Sequence, residues 1–335
     1  MKNKTFRAFL ILLFAVVYLY LMPSCKKQNL SAGTGNNNPP AGINCTATKT
    51  DAENIQVFPA GNAWNLDISS SPADPYSAQI IAGFSSNVIK ADFGSGLWDG
   101  APIGIPYTVV CGSQTKYAVT FRANSYDGNY GDESDAGPYP VPLDAPIEGN
   151  GNGDSHVIAV DKENKILYEL YNASVNNGHW EASSGAIFDL KTNTLRTEGW
   201  TSADAAGLPI FPGLVRYEEI LKGVVDHPIR FTLPSAKVKP AYISPARHKV
   251  NSSGGQFSSL PFGARIRLKP GFDISSYSAT NKIILTAMKK YGLILADIGS
   301  HLYITGVPDE RWNNDDLRLL GQVHGSDFEV MKFNN

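Results

Sequence analysis

This chain is poor in charge. Asp, Glu, Lys and Arg make up 18% of 335 residues, and 29 basic residues almost cancel 31 acidic ones. A nucleic-acid-binding surface carries a net basic footprint, so no nucleic-acid partner is expected. Cysteine is scarcer still. Cys25, Cys45 and Cys111 form no CxxC pair, which removes the zinc clusters built on thiolates. No GxSxG, HExxH or Walker-type loop is present, so the elbow hydrolases, helix-borne zinc proteases and P-loop enzymes lack their signatures. No segment repeats at the period of a propeller or solenoid.

Gly (31), Pro (21) and aromatic residues (10%) are plentiful. That mixture favours strands and long loops over helices. The expected fold is mainly β with a few helices: a single domain, sandwich-like or jelly-roll-like, with long loops. Two helices are expected near the carboxyl end, over 279–291 with Ser278 as N-cap and Gly292 as stop, and over 314–323. Strands are expected over 107–111 and 116–122 around the turn at 112–115, and a hairpin over 293–305.

The amino terminus carries an address. Lys2, Lys4 and Arg7 precede the apolar run Ala8–Met22, which ends in Pro23-Ser24-Cys25. This is the order of a secretory signal. The 15 apolar residues are short for a membrane span, which needs roughly 20. Cys25 after a small residue resembles the bacterial lipoprotein pattern, although Pro23 departs from it. Residues 1–25 are therefore expected to be a lipoprotein signal peptide with Cys25 lipidated. Residues 26–51 read as a flexible linker, and 52–335 as one β-rich catalytic or binding domain. The body would sit outside the cytoplasm, in the periplasm or at the cell surface, membrane-anchored through its lipid. Cys45 and Cys111 are then either a disulfide or two thiols.

The stretch 127–171 is the candidate site. A long acidic loop, stiffened by prolines at 138, 140, 142 and 146, runs into an apolar hairpin. With a turn over 161–164, His156 falls opposite Glu169 and Asp154 opposite Tyr171, all on one face. His156 beside Glu169 suits a general base with its orienting carboxylate, and Tyr171 suits proton donation. Glu133, Asp135 and Glu148 are the candidate partner acids, since paired carboxylates hydrolyse glycosides. Two plainer readings compete: a solvated acidic loop, or calcium held by Asp127, Asn129, Asp132 and Asp135. Asp154, Arg247 and His248 are candidate substrate contacts, the guanidinium suiting uronic acids, with Trp98 and Trp200 as sugar-stacking platforms. The expected partner is a polysaccharide or oligosaccharide. The expected function is that of a tethered carbohydrate-active enzyme, a glycoside hydrolase or polysaccharide lyase. The alternatives are a non-catalytic glycan- or ligand-binding lipoprotein and a structural envelope component.

Five phrases taken together carry a resemblance: FGSGLWDGAPIGIPY (93–107), DESDAGPYPVPLDAPIEG (132–149), GWTSADAAGLPIFPGLVRYEEI (199–220), PARH (245–248) and MKKYGLILADIGS (288–300). The chain resembles, over 57–330, an uncharacterised family of secreted bacterial proteins. The resemblance implies one domain and brings no activity, cofactor or catalytic residue.

Overall fold

Two apolar runs, Val157–Asp161 and Leu293–Ile298, each lie inside a sheet. Strands buried on both faces read as continuous apolar sequence rather than as alternation, and both runs do. The computed structural model describes residues 46–123 and 130–333. These residues belong to one compact unit, 44–335. Lys49–Glu53 is already helical, so the ordered body begins before residue 52.

The larger sheet has six strands in the order Lys90–Asp92, Tyr303–Thr305, Ile229–Leu233, Leu293–Ile298, Arg265–Leu268, Phe328–Val330. Two of its pairings are parallel: Lys90–Asp92 with Tyr303–Thr305, and Ile229–Leu233 with Leu293–Ile298. The crossover joining the second pair contains the helix Ala279–Lys290, capped by Ser278 as expected. Its buried face, Ile284, Leu285, Ala287 and Met288, packs into the main core. The hairpin expected over 293–305 does not form. Ile229–Leu233 lies between its two arms, and the amides of Gly299 and Leu302 bond to Leu233 and Thr232 instead. The carboxyl-terminal helix is shorter than expected, Asn314–Arg318, and tightens into a 3₁₀ turn at Leu319–Gln322.

The smaller sheet has four strands: Ser184–Asp189, Ile166–Tyr171, Val157–Asp161 and Thr108–Val110. The turn after Cys111 closes as expected, but the strands on either side of it diverge. Thr108–Val110 pairs parallel to Val157–Asp161, whereas Val119–Phe121 pairs with His179–Ala182 in a third, three-stranded sheet. Cys111 is disulfide-bonded. Cys25 and Cys45 lie outside the described residues.

The central hairpin forms with its register two residues away from the expected one. Val160 faces Leu167 and Ile158 faces Glu169. The cause is Asp161, whose carboxylate accepts the amides of Glu163 (3.1 Å) and Asn164 (2.9 Å) and so caps a turn that starts one residue later. A shift of two leaves every side chain on its expected face. Ile158, Val160 and Leu167 join the main core, while Val157, Ala159, Tyr168 and Leu170 join a second one under Trp180, Tyr139 and Val141. Trp64 and Trp180 are thus core residues.

Both main sheets feed the first core, as a sandwich requires, but a loop segment is buried with them. Residues 201–215 bond to both sheets. Ala206 donates to Ala296 (3.1 Å) and Val215 to Thr305 (3.1 Å) in the six-stranded sheet. The amides of Ile210 and Phe211 donate to the Glu169 carboxylate at 2.9 Å in the four-stranded one. Gly207, at φ 66°, brings the segment so close that a Cβ would stand 2.6 Å from the Trp200 carbonyl oxygen. Glu169→Ala would leave two buried N–H groups without an acceptor, a loss of roughly 2–5 kcal/mol. Glu169→Gln keeps one acceptor and should lose less. Urea unfolding of both variants checks this; equal stability of Glu169→Ala and wild type would contradict it.

Candidate active site

Where the bridging segment passes the ends of the two sheets it leaves a cleft of about 520 Å³. Asp154, Tyr171 and Ser184 come from the four-stranded sheet and its approach. Thr201 to Ala205 come from the bridging segment, His248 to Asn251 from the turn after Pro245, and Asp297 from the end of a central strand. Tyr130 stands at the edge, its ring 6.1 Å from that of His248.

The floor is made of buried charge. Asp204 is fully buried and takes a forked ion pair from Arg230, Nε to Oδ2 at 3.1 Å and Nη2 to Oδ1 at 3.0 Å. The remaining Arg230 nitrogen donates to Thr305 Oγ1 (3.2 Å). Arg230 is therefore spent on Asp204. Asp297, half-buried at the cleft wall, gains less from it. Burial, then the charges of Asp204 and Asp154, raise its carboxyl to about 7 against the pull of Arg230 and of the Ile298 amide. This is a carboxyl that holds a proton near neutral pH, beside a second carboxylate in the same cleft.

His156 lies beneath the wall, almost fully buried. Its Nε2 is 2.9 Å from the Ala203 carbonyl oxygen, which only accepts, so that nitrogen carries a proton. Its Nδ1 is 2.5 Å from Glu148 Oε2. Burial alone would lower the imidazole's proton affinity, but the Glu148 charge and hydrogen bond outweigh burial and raise it to about 9. The Glu148 carboxyl is held low, the His156 charge and hydrogen bonds prevailing over burial. With both nitrogens donating, His156 has no lone pair for base catalysis. It positions the cleft wall instead, fixing Ala203 and packing its ring 5.6 Å from that of Tyr171. Glu169, expected as its partner, is committed to the amides of Ile210 and Phe211, and burial raises its carboxyl to about 7.

The other expected site residues divide in the same way. His248 lines the cleft, its Nδ1 on the Ala205 carbonyl (2.8 Å) and its Nε2 3.7 Å from Glu133. Glu133 also accepts the Thr201 amide (2.9 Å). Asp135 is held by Arg196 (2.6 Å) and the Ile187 amide (2.8 Å), away from the cleft lining. Arg247 pairs with Glu198 (2.6 Å) and donates to the Arg196 carbonyl (3.1 Å). Trp200 is half-buried with the Arg196 guanidinium 5.9 Å from its ring centre. Trp98 is 79% exposed on the small hairpin of Leu97–Trp98 and Ala101–Pro102, apart from the cleft lining. Of the calcium candidates, Asp127 and Asn129 lie outside the described residues, as does Cys25. Asp132 is exposed, and Asp135 is the partner of Arg196. Among the described residues no group of three or more His, Cys, Asp or Glu is arranged to hold a metal ion.

Asp204, Arg230 and Asp297 were not among the expected site residues. Two of them carry a signal in the sequence. Arg230 interrupts the apolar strand Ile229–Leu233, and Asp297 follows the four apolar residues Leu293–Ala296. A charge embedded in a buried strand must be paired or functional. Comparison with family models, curated proteins and solved structures found no match for this chain.

The His156–Glu148 pair makes stability depend on pH. The folded value of His156, about 9, lies above its ordinary 6.5, so its contribution is full below about 6.5 and is lost as pH rises through about 9. His156→Gln should therefore be less stable than wild type by on the order of 2–3 kcal/mol near pH 6, with the gap closing above about pH 9. Denaturant unfolding across that range is the measurement; a gap that stays constant or widens with pH would refute the pairing.

Proposed function

We propose that the cleft binds a carbohydrate and hydrolyses a glycosidic bond, Asp297 serving as the proton donor and Asp154 as the second carboxylate. The observation that carries this reading is the raised Asp297 carboxyl in a cleft shared with Asp154. Glycoside hydrolysis needs one acid that keeps its proton at working pH and one carboxylate that acts on the sugar or on water. His248, Tyr171 and Tyr130 offer hydroxyl-binding groups along the walls.

The charge of the site argues for a neutral or cationic sugar rather than a uronic acid. Asp154, Asp204 and Asp297 line the cleft, and the buried Arg230 is already paired. Arg247 is turned to Glu198, and the Lys249 ammonium is turned to the Pro240 carbonyl (2.8 Å). Hydrolysis is thus favoured over elimination at a uronate, which needs a cation on the sugar carboxylate. The amino-terminal pattern supports a lipid-anchored, extracytoplasmic location. No helix among the described residues is long and apolar enough to cross a membrane.

Two measurements test this. Across a polysaccharide panel, Asp297→Asn and Asp154→Asn should each lower reducing-end release by about 10²–10⁴-fold while unfolding like wild type. The wild-type kcat/KM should fall as pH rises through about 7, where Asp297 loses its proton. Undiminished turnover in both variants would defeat the assignment, and binding without product release by wild type would favour a glycan-binding protein. For location, Cys25→Ser should move the protein from the membrane to the soluble fraction; unchanged partitioning would count against lipidation at Cys25.

A further inference from the structure

Every described arginine but one pairs with a carboxylate: Arg122, Arg196, Arg216, Arg230, Arg247, Arg267, Arg311 and Arg318 all do. Arg265 does not. Its neighbour on the same strand, Arg267, forms the pair with Glu329 at 2.7 Å. The Arg265 guanidinium makes a single hydrogen bond among the described residues, from Nη2 to the Ala63 carbonyl oxygen. Arg265 lines a groove of about 550 Å³. Burial pulls its proton affinity down, to about 10, and no nearby charge offsets that pull. A desolvated cation without a counter-ion is costly, and proteins supply the counter-ion from the chain or from a ligand.

The groove itself narrows the ligand class. Its walls include Leu66, Ile68, Ile243, Met331 and Phe333. No acidic residue lines it among the described residues, and Lys332 adds a second cation at its edge. A volume of this size holds a small organic molecule. A planar fork matches a carboxylate through two parallel hydrogen bonds, while the apolar walls need an apolar body to cover them.

We propose that this groove binds a small amphiphilic carboxylate, an alkyl or aryl acid, with its carboxylate on Arg265 and its apolar part against Leu66, Ile243 and Phe333. The site lies apart from the acidic cleft, shares no lining residue with it, and stands whether or not the cleft is catalytic.

Calorimetric titration of the full chain with octanoate, octanamide, octylamine and acetate tests this. Octanoate should bind. The amide and acetate should each be at least about tenfold weaker, one lacking the charge and the other the apolar body, and octylamine should not bind. Arg265→Met should lose octanoate binding by a similar factor yet unfold at the same or a higher temperature, because it removes an unpaired, half-buried charge. Absence of octanoate binding overturns the proposal. So does equal binding of acetate, which would mean an adventitious ion only, or equal binding of octanoate by Arg265→Met, which would mean an apolar groove only. The ligand series on the wild-type chain decides the matter even if the variant does not fold.

Discussion

A loop cannot be buried unless its backbone polar groups find partners, and residues 201–215 are buried between two sheets. Backbone bonding to the sheets supplies partners only at Ala206 and Val215. Charged side chains supply much of the rest. Glu169 takes the amides of Ile210 and Phe211, His156 serves the Ala203 carbonyl, Arg196 the Thr201 carbonyl at 2.5 Å, and Arg216 the carbonyls of Phe211 and Leu214 at 3.1 Å. The three cations among them are far from water, so each needs its own counter-charge. Glu148 serves His156, Asp135 serves Arg196, and Glu53 with Glu219 serves Arg216. The interior is therefore a chain of obligations that starts from one irregular stretch of backbone.

The cleft follows from the same arrangement. The segment that joins the sheets also carries Asp204, and its path sets Ala203 and Ala205 against His156 and His248. Two acidic groups in this neighbourhood then diverge for a physical reason. Glu148 has a cation to itself at 2.5 Å and gives up its proton readily. Asp297 shares Arg230 with Asp204, which holds it in a fork, so burial and repulsion prevail and Asp297 keeps its proton to about 7. The difference lies in which carboxylate reached the cation first, not in depth alone.

Much of the frame was legible in the sequence because it depends on local chemistry. Alternation sets Ile158, Val160, Leu167 and Glu169 on one face of the hairpin, and a register shift of two residues preserves that face. Ser278 and Gly292 marked a helix that formed. The partners were not legible. Symmetric closure of the turn pairs His156 with Glu169, thirteen residues on, whereas its ion pair is Glu148, reached through the bend of the acidic loop. Arg230 and Asp204 meet only because two distant segments pack together, 26 residues apart in sequence. The intended hairpin at 293–305 failed for a similar reason, since nothing local shows that Ile229–Leu233 will enter between its arms. Local rules find elements and faces; which charge meets which is decided by topology.

The claim on which this account rests is that residues 201–215 belong to the core rather than to a mobile surface loop. Native-state hydrogen exchange of the Ala206, Ile210 and Phe211 amides tests it most directly. The account predicts that these amides exchange as slowly as those of Phe231 and Leu295 in the central strands, through global unfolding alone. Fast exchange at all three, with the strand amides still protected, would contradict it.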